Sequence, residues 1–507
     1  MGARCQAGAW RSQGGGTTGE AVNVQFLRPV LAIGGRMRQN RGCKGPGIRW
    51  LFSGGVAAGQ LKETQDMEIS RRHFLNSSAA VLTAGVMAHG RVWGANEKIG
   101  VCVVGINGRG GSHIEGFSKS PDSEVVALCD VDAAVLEERA NQVEKATGKK
   151  PKLYRDMREA FADPDVDVVS IATPNHWHTL AAVWAAQAGK HVYVEKPASH
   201  NIYEGQQLVA AAAKYDVVIQ HGTQSRSDAQ WLRDIALLQS GEIIGPLYMA
   251  RGLGYKNGNR GSIGQEPDTD PPATLDWDLW QGPASRKPFN KMYHPYNWHW
   301  FWHWGNGEIG NQGIHQLDIA AWGMNRGFPV RVDSVGGRYT YEDAGETPNT
   351  NVATFIYEDG TMLVFEVRNR WTNDEGGRML GDKFAGGVGV GNLFYGDGGY
   401  YVQDQGFFDT KNNPIPVDAT KYPFPESKGC WQNFLEAVKA NDKTKVYGDM
   451  KAAHVSSGMA HLAGISYRLG TSLKFDPKTE TFTGGPSEAN AMLTREYAKG
   501  FEVPKLA

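Results

Sequence analysis

The chain has 507 residues, in which 53 lysines and arginines face 54 aspartates and glutamates for a net charge of −1. That balance supplies no field to recruit nucleic acid or an anionic membrane, and it suits a small neutral ligand. The apolar fraction of 41% is enough for two or three domain cores, and the five cysteines show neither a CxxC pair nor a zinc-like spacing with histidine, so no structural metal or disulfide framework is expected.

Residues 1–66 are rich in Gly and Arg, poor in acids and without periodicity, and read as a disordered or untranslated extension. Met67 then opens MEISRRHFLNSSAAVLTAGVMAHG, where Arg71 and Arg72 precede Phe74, Leu75 and a short apolar run from Ala79 to Ala88. Residues 67–95 therefore read as a twin-arginine export signal, with small residues near Ala88 or Gly94 for cleavage. The alternative is an ordinary basic helix start. The apolar run is about half the ~20 residues of a membrane span, so no stable transmembrane helix is expected. Export would place the protein in the periplasm or another extracytoplasmic space, and an unused signal would leave it in the cytoplasm.

A first domain is expected over residues 96–221. Lys98 to Gly105 is a valine-rich run fitting a buried parallel strand, and GINGRGG follows. Gly105, Gly108 and Gly110 approximate the GxGxxG rule, with Asn107 at the second glycine, while Arg109 is a candidate for phosphate. Glycines there let the backbone approach a pyrophosphate whose charge faces the next helix N-terminus. A second strand, within Glu124 to Asp132, ends at Asp130, 25 residues past Gly105, where a carboxylate accepts from adenosine ribose hydroxyls. Such an acid repels a 2′-phosphate, which favours NAD over NADP. The alternative for Asp130 is a cap on the helix that begins near Asp132.

The alternation continues. Val166 to Ala172 reads as a strand, Thr173 to His178 as a turn and Thr179 to Gly189 as a helix; His191 to Glu195 is a further strand and Glu204 to Tyr215 a further helix. This rhythm predicts an α/β, doubly wound parallel sheet, whose ligands gather at strand C-termini. Asn107, Asp130, Thr173, Pro174, Asn175, His178, Glu195 and Lys196 all fall there.

From Gly222 to the C-terminus, residues 222–507, the pattern changes to longer strands such as Pro246 to Leu253, Asn351 to Tyr357 and Thr361 to Arg368. They suggest an α+β domain with an open, largely antiparallel sheet, one face under helices, that also offers a homo-oligomer interface. Trp431 to Ala440 and Met450 to Arg468 read as late helices. The polar loop from Tyr255 to Pro272 is long for a connection, and Tyr255, Lys256 and Arg260 are candidates for substrate contacts. In NWHWFWHW, Trp298, Trp300, Trp302 and Trp304 would share one face if extended. Aromatic faces stack on sugar CH faces, so Trp298, His299 and Trp302 are candidates for a carbohydrate cleft; a buried core strip is the alternative. His299 and His303 would share a metal only on a helix, and no carboxylate ligand is evident nearby.

GINGRGG, ATPNHWH, YVEKP and the later GNQGIHQLD together resemble the glucose-fructose oxidoreductase and inositol dehydrogenase family, Gfo/Idh/MocA, from about Lys98 to the C-terminus. The resemblance implies an NAD-binding Rossmann domain, a C-terminal segment returning to it, and a cis peptide after Lys196. It implies that Lys196 lies beside the nicotinamide and the substrate hydroxyl and that His315 relays the proton. Chemistry agrees, because hydride loss from an alcohol carbon requires a base on its hydroxyl. The family often has Asp where this chain has Asn311, which carries no charge; Asp318, three residues after His315, is the candidate to supply it. The resulting expectation is an NAD-dependent oxidoreductase acting on a hydroxyl of a sugar or cyclic polyol with tightly held cofactor. A redox-neutral glycosidase or lyase working through a transient keto-sugar is the alternative, and a noncatalytic carbohydrate-binding relative the third.

Overall fold

The computed structural model describes residues 97–256, 262–369 and 389–507. The extension, the twin-arginine segment and Arg260 lie outside them.

The first sheet has six strands, all parallel: β1 Ile99–Val104, β2 Ser123–Cys129, β3 Lys152–Tyr154, β4 Val168–Ile171, β5 His191–Val194 and β6 Ile219–His221, in the order β3-β2-β1-β4-β5-β6. The order reverses between β1 and β4, which opens a crevice at their carboxyl ends. β1, β4 and most of β5 are buried on both faces, as continuous apolar runs between helix layers require. The helices Gly110–Lys119, Ala133–Thr147, His178–Gln187 and Ile202–Lys214 follow β1, β2, β4 and β5.

Ten strands make the second sheet. In chain order they are β7 Leu247–Tyr255, β8 Arg331–Gly337, β9 Thr350–Ile356, β10 Met362–Arg368, β11 Val390–Gly396, β12 Gly399–Val402, β13 Gly406–Asp409, β14 Pro414–Ile415, β15 Leu473–Asp476 and β16 Thr481–Phe482. They lie in the order β14-β13-β12-β11-β7-β10-β9-β8-β15-β16. Only β7 and β10 pair parallel, so the sheet is mixed with antiparallel pairing dominant. β9 and β10 alternate buried and half-buried residues, the mark of a sheet with one covered face. The helices Ile314–Gly323 and Met450–Leu469 cover it, with Leu317, Ala320, Met459 and Leu462 meeting Ala353, Phe355 and Phe365 in one core. The first of these helices lies close on β7 because Gly252 has no side chain: a Cβ there would stand 2.8 Å from Cβ of Gln316.

The tryptophan-rich stretch departs from the extended expectation. Asn297–Trp300 is a 3-10 turn and the residues beyond it are further turns, so the four indoles do not share a face. Trp304 is fully buried in a small aromatic core with Trp277, Trp280, Phe289, Trp298 and Phe301. Packing decides here, since an irregular segment can bury several indoles only by pointing them at a common centre. No helix among the described residues is long and apolar enough to cross a membrane.

Candidate functional site

At the end of β1, Gly105 takes φ +79°, a conformation that favours glycine, and a Cβ on Gly110 would collide with the Gly105 carbonyl oxygen at 2.1 Å. The loop can therefore fold this tightly only with glycines at both places. A Cβ direction at Gly108 meets nothing within 4 Å, and the helix Gly110–Lys119 has no acid in its first turn. Open space, a close backbone and an uncompensated helix N-terminus fit a dinucleotide pyrophosphate. Arg139 braces the loop from behind, donating to the carbonyls of Ile106 at 3.1 Å and Asn107 at 2.7 Å.

Asp130 ends β2 and faces the same cleft. Its carboxylate accepts from the Ile106 and Asp132 N–H groups at 2.8 and 3.0 Å, and burial pushes its pKa up to about 6. Capping belongs instead to Asp132, which accepts from Ala134 at 3.0 Å. Asp130 is thereby left as a carboxyl group in the cleft wall.

The turns after β4 and β5 form the other wall. His178 spans them, its ring nitrogens 2.6 Å from the Pro197 carbonyl and 2.8 Å from that of Thr173. The Lys196–Pro197 peptide is cis. Glu195 is buried and holds this corner: one oxygen accepts from Arg109 at 2.8 Å, Gln224 at 3.1 Å and His113 at 3.1 Å, the other from the Lys196 N–H at 3.1 Å. Despite burial, His113, Arg109 and Lys196 hold its carboxyl well below the ordinary range. Arg109, expected at a phosphate, is here paired with Glu195. The resulting cleft of ≈310 Å³ is lined by Asn107, Gly108, Asp130, Thr173, Pro174, Asn175, Lys196 and Asn311 among others.

Lys196 reaches into the second half of the fold, its Nζ 2.9 Å from the Asn311 carbonyl oxygen and 3.4 Å from its side-chain oxygen. Asn311 stands on a π-helical turn, Ile309–Gly313, that runs into the helix Ile314–Gly323 carrying His315. Such turns widen the helix locally and recur where side chains must be aimed at a site. His315 is half-buried, and desolvation together with the neighbouring Lys196 charge draws its pKa down to about 3. A neutral imidazole beside an amine and an amide carbonyl can pass a proton between a substrate hydroxyl and solvent.

Several expected residues are placed elsewhere. Both Asp318 oxygens accept from Arg226, at 2.7 and 3.0 Å in a buried pair, and the Asp318 charge still acts to raise the His315 pKa, against the larger lowering by burial. An ion pair this dry must be complete on both sides, which commits the carboxylate. The Tyr255 hydroxyl donates to Glu366 at 2.8 Å under the Arg368 guanidinium, outside the cleft lining. Trp302 lines a different cavity, whereas Trp298, His299 and Tyr296 do close one side of the cleft. His299 and His303 turn to separate carbonyls, those of Tyr296 and Ser285.

The sequence reading missed three further groups, none of them in the cleft lining. Glu308 is buried and accepts from the Asn311 side-chain nitrogen at 3.4 Å, supplying an acid one turn away on the same helical face; the i, i+3 spacing signals it only on a helix. His221 ends β6 with both ring nitrogens enclosed and unbonded among the described residues, its pKa lowered to about 3 by burial. Arg226 follows in the next turn. Both obey the strand-end rule.

Residues 99–223 match an oxidoreductase family model described as an NAD-binding Rossmann fold, and residues 236–381 and 404–503 match the same family's C-terminal α/β domain. A glycosyl hydrolase family 109 protein 1 from Shewanella sp. strain ANA-3 is 31% identical over 172 residues, covering 29% of this chain and 37% of the relative. An α-N-acetylgalactosaminidase from Shewanella oneidensis is 30% identical over 172 residues with the same coverage. The match thus spans little more than a third of these relatives' length. The WlbA dehydrogenase from Bordetella pertussis, solved in complex with NADH and UDP-GlcNAcA, superposes with a TM-score of 0.54 at 20% identity, over 75% of this chain and 99% of that one.

Proposed function

The chain belongs to the Gfo/Idh/MocA oxidoreductase family and carries its NAD-binding Rossmann domain, and from that premise we infer that it dehydrogenates a ring hydroxyl of a sugar or cyclic polyol. The single observation that carries this reading is the Lys196 Nζ set 2.9 Å from the Asn311 carbonyl in the cleft wall, its charge felt at His315. Gly105, Gly108 and Gly110 would hold the pyrophosphate of NAD, and Asp130 its ribose. Bound there, NAD supplies the two-electron acceptor for the carbon that bears the hydroxyl.

The residues of the chain handle the proton. Lys196 Nζ, in its deprotonated form, would take it from the hydroxyl, and the Asn311 carbonyl fixes the direction of that nitrogen. His315, neutral at pH 7, accepts it for transfer to solvent; a pKa of about 3 makes its protonated form short-lived. Glu195 holds the Lys196 backbone through the 3.1 Å contact, and Tyr296, Trp298 and His299 narrow the access of water.

A second reading is favoured by the glycosidase relatives: oxidation acidifies the neighbouring C–H, loss of that proton expels the aglycone, water adds across the double bond so formed, and the ketone is reduced again with no net redox change. Export through a twin-arginine signal at residues 67–95, which moves folded protein with its nucleotide in place, suits this closed cycle. Homo-oligomerisation through the second sheet belongs to the same proposal. The experiment incubates protein purified with its own nucleotide with free sugars and with aryl glycosides, following nicotinamide absorbance and released aglycone. Keto-sugar formed in step with NADH supports dehydrogenation; aglycone release without NADH sinks it in favour of the second reading.

A further inference from the structure

Glu195, at the end of β5, gathers contacts from the neighbouring strands. Its Oε1 accepts from Arg109 and His113, at the start of the helix that follows β1, and from Gln224 beyond β6, while Oε2 accepts from the Lys196 N–H. Ser170 of β4 joins through His113, whose Nδ1 lies 2.7 Å from its Oγ. Ser170 and His113 are both fully buried.

These partners differ in charge. An ionised carboxylate only accepts, so His113 Nε2 carries the proton it offers; Nδ1 then accepts from the Ser170 hydroxyl, and the ring is neutral. Burial draws the His113 pKa down, which acts in the same direction. Gln224 is an amide, and the Lys196 N–H is backbone. Of the four partners Arg109 alone brings a full charge, which a guanidinium keeps at any working pH. Its side chain is 43% exposed against 5% for Glu195, so the pair links the open cleft to a dry carboxylate.

That charge bears on Lys196, which follows Glu195 in the chain. Lys196 Nζ points to the Asn311 carbonyl at 2.9 Å, and the Lys196 charge helps to hold the Glu195 carboxyl low. The influence is mutual: a bare carboxylate there would stabilise the lysine ammonium and keep it protonated. The histidines that feel Lys196 bring no charge at pH 7, because burial draws His178, His221 and His315 below their ordinary range. Beyond them Arg226 is matched by Asp318.

We propose that Arg109 is a positioning residue for proton transfer: held on Glu195, it offsets that carboxylate and leaves Lys196 able to stand uncharged beside a substrate hydroxyl. The proposal rests on Lys196 being the base of the dehydrogenation above. It also assigns Arg109 away from the nucleotide phosphates, which the open glycine turn and the helix N-terminus are suited to meet. A guanidinium that turned to a phosphate would leave a buried carboxylate without its cation, a costly exchange.

Two readouts on the full chain separate these roles. Acetic anhydride labelling of Lys196 across pH, followed by mass spectrometry, needs no turnover, and nicotinamide fluorescence gives the affinity for NADH. Arg109→Met is expected to raise the labelling midpoint of Lys196 by about one pH unit, cutting its labelling at neutral pH about tenfold. NADH affinity should fall by no more than about fivefold, the worth of an exposed contact. Arg109→Lys, which keeps the charge, brings the midpoint back, and in a Glu195→Gln background Arg109→Met moves it no further. A midpoint that stays put in Arg109→Met, or one that rises as much without the Glu195 charge, overturns the proposal. So does a loss of NADH affinity of about thirtyfold or more with the midpoint unmoved, the mark of a phosphate ligand. A wild-type chain that oxidises no sugar would instead remove the dehydrogenation reading, and the labelling result would still decide whether Arg109 acts on Lys196 through Glu195.

Discussion

The six-stranded sheet and the aromatic stretch between β7 and the helix Ile314–Gly323 both wall the nicotinamide cleft, but they do so in different ways. In the sheet the contributing residues gather at and beyond the strand ends, because parallel strands all point one way and their turns collect along one edge. In the aromatic stretch residues of one type do three separate jobs: Trp298 closes the cleft, Trp304 fills a core, and Trp302 faces another cavity. Regular structure turns position in sequence into position in space. Irregular structure leaves that to packing, so its residues bear on the site less directly.

If that contrast is right, the largest effects belong to residues on regular elements. Lys196→Ala is expected to lower turnover by about 10²–10⁴-fold, the range for loss of a positioned base, while NAD still binds with its original affinity. Steady-state kinetics and nucleotide titration check both halves. A loss of NAD affinity equal to the loss of turnover would make Lys196 a cofactor anchor instead.

Asp318→Ala comes next. It leaves the Arg226 guanidinium buried without its bidentate partner, which is expected to cost about 3–5 kcal/mol of folding stability. Urea unfolding measures it, and Asp318→Asn, which keeps one acceptor, should lose less. If instead stability holds and the pH profile of turnover shifts, Asp318 acts chiefly on His315.

Acid pH probes the same region with a smaller effect per group. His221, His315 and His461 have pKa values drawn down to about 3 by burial, against about 6.5 in an unfolded chain. Between those values the unfolded state binds more protons, so stability rises with pH there and falls as pH drops below about 6.5. At pH 5 each such histidine subtracts up to about 2 kcal/mol. Asp130, raised to about 6, opposes them, since its protonated form is favoured in the folded state. Thermal midpoints measured from pH 7 to 5 should fall steadily; a flat curve would show that these imidazoles are not kept neutral.

Much of the cleft was legible for the reason that separates the two regions. Asn107, Asp130, Asn175 and Lys196 could be placed from apolar runs and turns alone, because the strand-end rule needs no knowledge of partners. Asp318 could not: helical spacing put it near His315, but the partner that captures it, Arg226, lies 92 residues away and is set by tertiary packing. Glu308 gives no signal of its own, because an acid three residues before Asn311 joins the site only once the turn between them is helical. Alternation in β7 and β10 announced strands but not their parallel pairing, which side-chain pattern does not encode. The tryptophans failed for a plainer reason, since a period of two is equally available to a string of turns.

The smallest effect is expected where the aromatic stretch meets the cleft. Tyr296 lines it from an exposed position, packed on His299 with ring centres 4.6 Å apart, where it would cover a nucleotide in the cleft without anchoring it. Rim side chains exclude water more than they hold a ligand, and truncating one typically costs about 1 kcal/mol or less. Tyr296→Ala should therefore speed NAD release by up to about fivefold, leaving the association rate nearly unchanged. Stopped-flow displacement of bound NADH, followed by nicotinamide fluorescence, reads the rate. An acceleration far beyond this would give the irregular wall as firm a hold on the nucleotide as the strand ends have. No change at all would leave retention to the glycine turn and Asp130, which the sheet alone positions.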